Sequence, residues 1–101
     1  MAVKFSVEIT PTAESDIEDI WSYIAEDSRK NATSFILALE EQVRSLESFP
    51  ERCPLIPENK DLNTRCRHLI YGSYRTIFRI AGKTVYLLRV IHGARLLELD
   101  L

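Results

Sequence analysis

The sequence has few of the features that mark secreted, membrane-spanning or phosphate-loop proteins. Its 101 residues include two cysteines, too few for a disulfide framework, and no apolar run long enough to cross a membrane. The N-terminal residues lack a charged head followed by an apolar stretch, so they do not read as a secretory signal. No glycine-rich loop precedes a helix, and no serine has the small neighbours of a nucleophile elbow. We therefore expect one cytoplasmic domain spanning residues 1–101, with little support for nucleophilic catalysis.

Acidic residues are missing from one long stretch of the chain. From Thr64 to Arg95 there are seven Lys or Arg residues and no Asp or Glu. Residues 1–60 show the opposite balance, with twelve acidic and six basic residues, whereas residues 61–101 hold three acidic and seven basic ones. The net charge of −2 therefore hides an acidic half and a basic half. Such an asymmetry predicts that an anionic partner docks on the second half.

The first half of the chain predicts a strand followed by a helical hairpin. Apolar and polar residues alternate from Val3 to Ile9, which is typical of a half-buried strand. Thr10-Pro11 then starts a helix, because the hydroxyl can cap it and proline loses no bond in the first turn. A second helix follows the break at Asp27-Ser28 and ends at Phe49-Pro50. The apolar stripes of the two helices are Ala13, Ile17, Ile20, Trp21 and Ile24, then Ala32, Phe35, Ile36, Leu39, Val43 and Leu46.

The second half predicts an irregular loop and three strands. Residues 50–63 contain three prolines and scattered charges, which is typical of a loop. The strands are predicted at Arg65–Tyr71, Tyr74–Ile80 and Thr84–Ile91, separated by turns short enough for hairpins. The first strand must pair with one of these three, because alone it would leave its backbone unsatisfied. The sequence therefore predicts an α+β fold of order β-α-α-β-β-β, in which a helical hairpin packs on a twisted antiparallel sheet in two layers.

Arginines interrupt the apolar pattern of the last strands. On the strand Tyr74–Ile80, Arg75 and Arg79 share a face with Ile77, so one side of the sheet could pack on the helices while the other presents arginines. A guanidinium suits phosphate or carboxylate, because it donates two parallel hydrogen bonds. The alternative is a solvated sheet face whose arginines pair with acids of the helices. The residues predicted to bind a partner are Arg67, Tyr74, Arg79 and Arg89.

His92 is the other candidate for chemistry. It stands at the end of the last predicted strand, just before Gly93 and Arg95, where an imidazole could act as a general acid or base. The alternative is a surface residue at a strand end. A metal site is not predicted, because Cys66 and His68 are separated by one residue and Cys53 lies in a loop. We expect no cofactor, and we take the acidic stripe of the first helix as a solvated face.

Taken together, these residues resemble the RelE/ParE superfamily of bacterial type II toxins, often called plasmid stabilisation proteins. The resemblance covers nearly the whole chain, and it rests on the order and spacing of several patterns. It implies the fold described above and a growth-inhibiting toxin that a cognate antitoxin neutralises. The two proteins would form a toxin–antitoxin hetero-oligomer, and no membrane partner is expected. The patterns are the strand leading into Thr10-Pro11, the helix pattern from Ala13 to Ala25, the helix end at Leu46 and Phe49-Pro50, Gly72 to Ile80, and Val85 to Arg95.

The resemblance implies two alternative targets. RelE-like members cut messenger RNA in the ribosome, and Arg75 and Arg95 fall where those enzymes keep phosphate-stabilising arginines, with His92 as a candidate acid or base. ParE-like members inhibit DNA gyrase and lack this set or keep it degraded. Here Arg67-His68 stands where the best-known nucleases have paired lysines, and the tail Leu96–Leu101 contains no tyrosine. The match to the nuclease pattern is therefore incomplete.

Charge favours the gyrase branch. Nucleases that act on the ribosome are usually strongly basic, because phosphate neutralisation dominates their affinity. This chain has a net charge of −2 and a pI of about 5.7. We therefore predict a gyrase-inhibiting, ParE-like toxin, which favours a non-enzymatic mode of action. The alternatives are a ribosome-dependent mRNA endoribonuclease, for which Arg75, Arg95 and His92 would be catalytic, and a non-toxic antitoxin-binding module.

Overall fold

The computed structural model describes residues 4–93 and confirms the predicted α+β fold. Within these residues, two long helices come before three of the four strands, and the irregular stretch between the second helix and those strands contains two 3₁₀ turns and one short helix. The predicted start of the first strand at Val3 lies outside the described residues. The elements are β1 (Ser6–Ile9), α1 (Pro11–Asp27), α2 (Arg29–Arg44), α3 (Asn59–Leu62), β2 (Arg67–Tyr71), β3 (Tyr74–Ala81) and β4 (Thr84–His92).

Two capping residues fix the helical hairpin. The hydroxyl of Thr10 accepts a hydrogen bond from the backbone N–H of Ala13 at 3.3 Å, and Pro11 occupies the first helical position. Ser28 closes α1 through its own N–H and caps α2 through its hydroxyl, which accepts from the N–H of Asn31 at 3.1 Å. Because a single residue ends one helix and starts the next, the two helices fold back on each other.

The sheet is mixed, which corrects the prediction of an antiparallel sheet in one respect. Its strand order is β1-β4-β3-β2, and the last three strands form the predicted antiparallel meander. β1, however, runs parallel to β4, with Val7 beside Val85. The hydrophobic pattern of a strand indicates which face is buried but not the direction of its neighbour. In this order β4 lies between β1 and β3, and β1 forms one edge of the sheet.

The two faces of the sheet are covered differently. Both helices pack on one face, and the main core there includes Leu39, Leu46, Phe78 and Leu87, all at most 2% exposed. The opposite face is covered by residues 54–66, here called the cover segment. Its small core includes Ile56 and Cys66 from the cover segment and Ile77 and Ile91 from the sheet.

The remaining boundaries differ slightly from the prediction. β2 begins at Arg67 and not at Arg65, because the backbone of Cys66 bonds to the side chain of Asn59. The two hairpin turns carry glycine at the first of two turn positions, with φ of 57° at Gly72 and 59° at Gly82. That conformation costs glycine little and joins the strands tightly. Within residues 4–93, no helix is long and apolar enough to cross a membrane.

Candidate functional site

Arg75 is buried on the sheet face that the cover segment occupies. It is 6% exposed, and it lies on the same face as Ile77, as the alternation of β3 predicted. Its guanidinium meets the carboxylate of Glu58 with both ends: Nη1 donates to Oε1 at 3.0 Å, and Nη2 donates to Oε2. The two side chains are only 7% and 11% exposed. Arg75 is therefore part of an internal ion pair and is not presented to solvent.

Glu58 is held in place by the shape of the cover segment. Glu58 precedes α3, and Asn59 directly after it ties the two ends of the loop together. The side-chain amide of Asn59 donates to the carbonyl of Cys66 at 2.8 Å, and its oxygen accepts from the N–H of Cys66 and the hydroxyl of Thr64, each at 2.8 Å. These bonds fix the α3 turn and with it the position of the Glu58 carboxylate.

His68 is the third member of this cluster. Its Nδ1 lies 3.4 Å from Nη1 of Arg75, so the neutral ring with its proton on Nε2 is the form that can accept from the guanidinium. Burial lowers the pKa of His68 below its ordinary value of 6.5, and the positive charge of Arg75 lowers it further, while Glu58 opposes the shift. His68 is therefore held as a neutral acceptor beside the ion pair.

Arg89 is held by the first helix. Its Nε donates to Oδ2 of Asp16 at 2.7 Å and its Nη2 to Oδ1 at 3.1 Å. The same carboxylate accepts from the backbone N–H of Val90 at 3.0 Å. Asp16 was predicted to lie on a solvated helix face, and this was wrong for that residue. Because β1 ends at Ile9, the N–H of Val90 lies beyond the paired part of β1, and it donates to the Asp16 side chain instead.

A β-bulge lies where this contact forms. Ile77 of β3 pairs with Arg89, but the next residue, Phe78, pairs with Leu87, so Leu88 is an extra residue in β4. Such a bulge re-aims the side chains that follow it. The carbonyl of Leu87 also accepts from the hydroxyl of Thr10 at 2.7 Å, which fixes the start of α1 to the same point of β4.

Two further predicted binding residues make different contacts. Arg67 donates from Nη1 to the carbonyls of Cys53 at 2.6 Å and Glu51 at 3.1 Å, so it holds the start of the loop against β2. Arg79 is exposed and lies over the ring of Tyr86, 4.5 Å from the ring centre. Such a cation–π contact still leaves the edge of the guanidinium accessible to a partner.

Tyr74 and His92 lie on the helix side of the sheet, away from Arg75. Their rings meet edge to face with centres 5.6 Å apart, and Tyr74 also packs against Phe35 of α2 at 5.2 Å. His92 follows Ile91, which faces the cover segment, so alternation along β4 turns His92 to the other side. The structure therefore separates His92 from Arg75. The third predicted catalytic residue, Arg95, lies outside the described residues.

The Tyr74–His92 pair borders a shallow groove with an acidic side. Two carboxylates of α1, Asp16 and Asp19, line it together with Tyr23, which is 70% exposed. Asp16 is already paired with Arg89, but Asp19 adds negative charge that opposes a phosphate backbone, and the exposed ring of Tyr23 offers apolar contact area. This surface suits a protein partner better than a nucleic acid.

A second groove lies beside β1. Ser6 donates to the carbonyl of Lys83 and Thr10 to that of Leu87, so the backbone groups of Val7 and Ile9 point towards the outer edge of the sheet. Ile9 is 42% exposed there. The groove has a volume of about 350 Å³. Its lining is mainly apolar, with charges at one end: Val7, Ile9, Ile17, Ile36, Leu39, Val43, Glu40, Arg44 and Glu47.

The cysteines and histidines do not form a metal site within residues 4–93, where no three potential ligands among His, Cys, Asp and Glu come together. Cys53 belongs to the main core, and Cys66 belongs to the small core beneath the cover segment. Burial raises the pKa of both thiols, which keeps them protonated and poorly reactive.

Sequence reasoning found the arginines but missed the residues that hold them. Glu58 and Asn59 lie in a stretch without periodicity, and Asp16 is one of several similar acids on α1. The available signal was charge: with no acid between Thr64 and Arg95, a buried arginine of the sheet has to find its carboxylate elsewhere in the chain.

Comparison with known proteins agrees with this architecture. Residues 7–97 match the family described as ParE toxin of type II toxin-antitoxin system, parDE. No curated protein matches the sequence.

Two solved structures have the same fold. A chain of the chromosomal ParDE TA system from P. aeruginosa is 20% identical with a TM-score of 0.69, covering 90% of this chain and 98% of that one. A chain of the toxin-antitoxin complex RelBE2 from Mycobacterium tuberculosis is 26% identical with a TM-score of 0.60, covering 92% of this chain and 95% of that one. With the family match over most of its length, the chain belongs to the ParE toxin family of type II toxin–antitoxin systems.

Proposed function

We propose that this chain is a growth-inhibiting toxin that acts on DNA gyrase through protein contacts and is neutralised by a cognate antitoxin. The observation that carries the proposal is the state of the sheet arginines. Arg75 is paired with Glu58 and Arg89 with Asp16, so neither guanidinium is presented as a phosphate-binding group. A toxin that cleaves RNA needs positive charge aimed at the reacting phosphate, whereas one that binds a protein target does not.

The separation of Arg75 and His92 supports the same conclusion. General acid–base chemistry requires the proton-transfer group and the charge-stabilising group to reach one substrate position. In this chain the two residues lie on opposite faces of the sheet, and Arg75 is covered. The mRNA endoribonuclease predicted as the alternative would require the cover segment to leave Arg75. We therefore infer that the chain is not an enzyme.

The groove beside β1 is the site that we propose for the antitoxin. An extended segment could pair with the outward backbone groups of Val7 and Ile9 and place apolar side chains between β1 and α2. Addition of a strand to a free edge supplies main-chain hydrogen bonds, and the groove supplies specificity. Arg44 at the end of the groove offers a partner for an acidic residue of that segment.

Pulse-labelling of DNA, RNA and protein synthesis in the first minutes after induction in a bacterial host tests the target. The proposal predicts that DNA synthesis falls first while protein synthesis continues. An early fall in protein synthesis would instead indicate ribosome-directed cleavage and would make Arg75, His92 and Arg95 the first residues to substitute.

Antitoxin docking is tested separately with a matched pair of variants. Ile9→Glu places a charge in the groove, and we expect it to weaken antitoxin binding at least tenfold, because an unpaired charge there must be desolvated (roughly 1.4 kcal/mol per tenfold). Leu37→Glu is the control, since Leu37 is 61% exposed on α2 and does not line the groove. Equal binding by both variants in a titration with the antitoxin would place the antitoxin elsewhere.

A further inference from the structure

The contact between Arg75 and Glu58 has the geometry of a bound oxyanion. Two nitrogens of one guanidinium face two oxygens of one carboxylate, which is the arrangement that arginine also uses for phosphate. Nδ1 of His68 lies 3.4 Å from Nη1 of Arg75 and accepts from it, so His68 orients the guanidinium. The anion in this position is the Glu58 carboxylate of the chain itself, and Glu58 lies in the cover segment and not in the sheet.

The cover segment keeps its shape mainly through bonds within itself. The three hydrogen bonds of the Asn59 side chain all go to Thr64 and Cys66. They therefore stabilise the α3 turn but do not tie it to the sheet. At one end, the N–H of His68 donates to the carbonyl of Pro54 at 3.1 Å, which joins the segment to the edge strand β2.

Over the middle of the sheet, the contacts of the cover segment within residues 4–93 include a small apolar cluster and an ion pair. Ile56 and Leu62 pack against Ile77, Ile91 and Leu88, and Glu58 pairs with Arg75. A contact of this size stabilises a segment less than a full helix–sheet interface, and such segments open locally before the whole domain unfolds.

We propose that Arg75, whose guanidinium His68 orients as a hydrogen-bond acceptor, forms a latent oxyanion site that Glu58 fills from within the chain. The ligand class is a small oxyanion with two oxygens able to face the guanidinium, either a phosphate or a carboxylate. Because Glu58 is tethered next to Arg75, its effective concentration is far above that of a free anion, and the site stays closed in the wild-type protein. The sheet thus keeps a phosphate-type recognition group without exposing it. This inference does not depend on which cellular target the toxin has.

Anion rescue of Glu58→Ala tests the proposal. This variant removes the internal carboxylate but keeps Arg75 and the hydrogen bonds of the Asn59 side chain to Thr64 and Cys66. We expect sodium phosphate to raise its melting temperature about 5–10 °C more than sodium chloride of equal ionic strength does, when the free anion is about tenfold above its dissociation constant. Subtracting the same difference for the wild type removes the general stabilising effect of phosphate.

Two control variants make the rescue specific. Asp61→Ala removes an exposed acid from the same short helix and should respond to phosphate as the wild type does. The double variant Glu58→Ala with Arg75→Leu lacks the guanidinium and should show no rescue. A gain of the same size in the double variant would overturn the proposal, because the anion would then be acting elsewhere.

Sodium formate distinguishes the two kinds of oxyanion. Formate is small enough to replace the deleted carboxylate beneath a closed cover segment, whereas phosphate needs the segment to move. Rescue by formate alone would indicate a site that accepts only carboxylates; rescue by both would indicate that the cover segment opens. Absence of rescue by either anion contradicts the proposal. If Glu58→Ala does not fold, Glu58→Ser, which also empties the position of the carboxylate, is subjected to the same comparison, with the same outcomes.

Discussion

The two faces of the sheet show two ways in which this chain covers a strand surface. The helix face has a core that contains Phe78 and Leu87 and is mainly apolar. Among residues 4–93, the cover-segment face has four buried apolar side chains and a buried ion pair. Burial of apolar area stabilises the fold roughly in proportion to that area. The attraction within a buried ion pair, in contrast, is largely offset by the cost of desolvating its two charges. The helix face therefore supplies most of the stability, and the other face supplies a specific position for Arg75.

The largest expected effect comes from adjacent residues that face opposite sides. Phe78 and Ile77 are both fully buried. We expect Phe78→Ala to cost about 3–5 kcal/mol of unfolding free energy and Ile77→Ala about 2–3 kcal/mol, because the cover segment can relax into the space left by Ile77. Urea unfolding monitored by circular dichroism measures both. Equal losses would mean that the two faces are equally rigid.

The second expected effect concerns the ion pair. Removing Glu58 leaves Arg75 without its principal counter-charge, and we expect Glu58→Ala in chloride buffer to cost about 2–3 kcal/mol. Amide hydrogen exchange should accelerate in residues 54–66 and much less in α1 and α2.

The matched control for that prediction is Asp61→Ala, an exposed acid three residues further along the chain, which should stay within about 0.5 kcal/mol of the wild type. If amide exchange accelerates equally in residues 54–66, α1 and α2, the cover segment does not open separately from the helices.

A third prediction concerns the margin of the helix face. Asp16 binds both Arg89 and the N–H of Val90, so Asp16→Ala should cost about 1–2 kcal/mol. Glu18→Ala, which removes an exposed acid of the same helix, should change stability by less than about 0.5 kcal/mol. Chemical denaturation measures the unfolding free energy of both variants. Similar losses would mean that Asp16 contributes no more to stability than a solvated acid of the same helix.

The smallest expected effect is a pH dependence on the cover-segment side. The pKa of His68 is lowered in the folded protein, so the unfolded chain binds a proton at a higher pH than the folded one does. The stability that neutral His68 contributes is complete above its ordinary pKa of 6.5 and is lost as the pH falls below that value. The groups facing it are Arg75 and Glu58.

Melting temperatures at about pH 7.5 and about pH 5.5 measure this effect. The wild type should lose more stability between the two pH values than His68→Asn, which keeps a neutral acceptor throughout. Parallel losses in both proteins would show that another group titrates.

Much of the fold could be predicted from the sequence, because periodicity reports burial. The stripes of α1 and α2, the cap at Thr10 and the three strands of the meander all follow from local rules. The parallel pairing of β1 could not be predicted in this way, because the alternation in β1 is the same for either direction of its neighbour.

The candidate site was predictable only in part. Alternation correctly placed Arg75 on the face that carries Ile77 and away from the helices. The same rule says nothing about a loop that folds over that face, since the contacts of Glu58 and Asn59 arise from an aperiodic segment. The functional assignment of Arg75, His92 and Arg95 as catalytic remains a prediction of the nuclease alternative.

The central claim is that the toxin acts by binding a protein target and not by phosphate chemistry on the sheet. It is tested most directly by adding the purified chain to DNA gyrase in a supercoiling assay and, in parallel, to translating ribosomes with messenger RNA cleavage read by primer extension. We predict inhibited supercoiling and intact messenger RNA. Cleaved messenger RNA with unaffected gyrase would contradict the account.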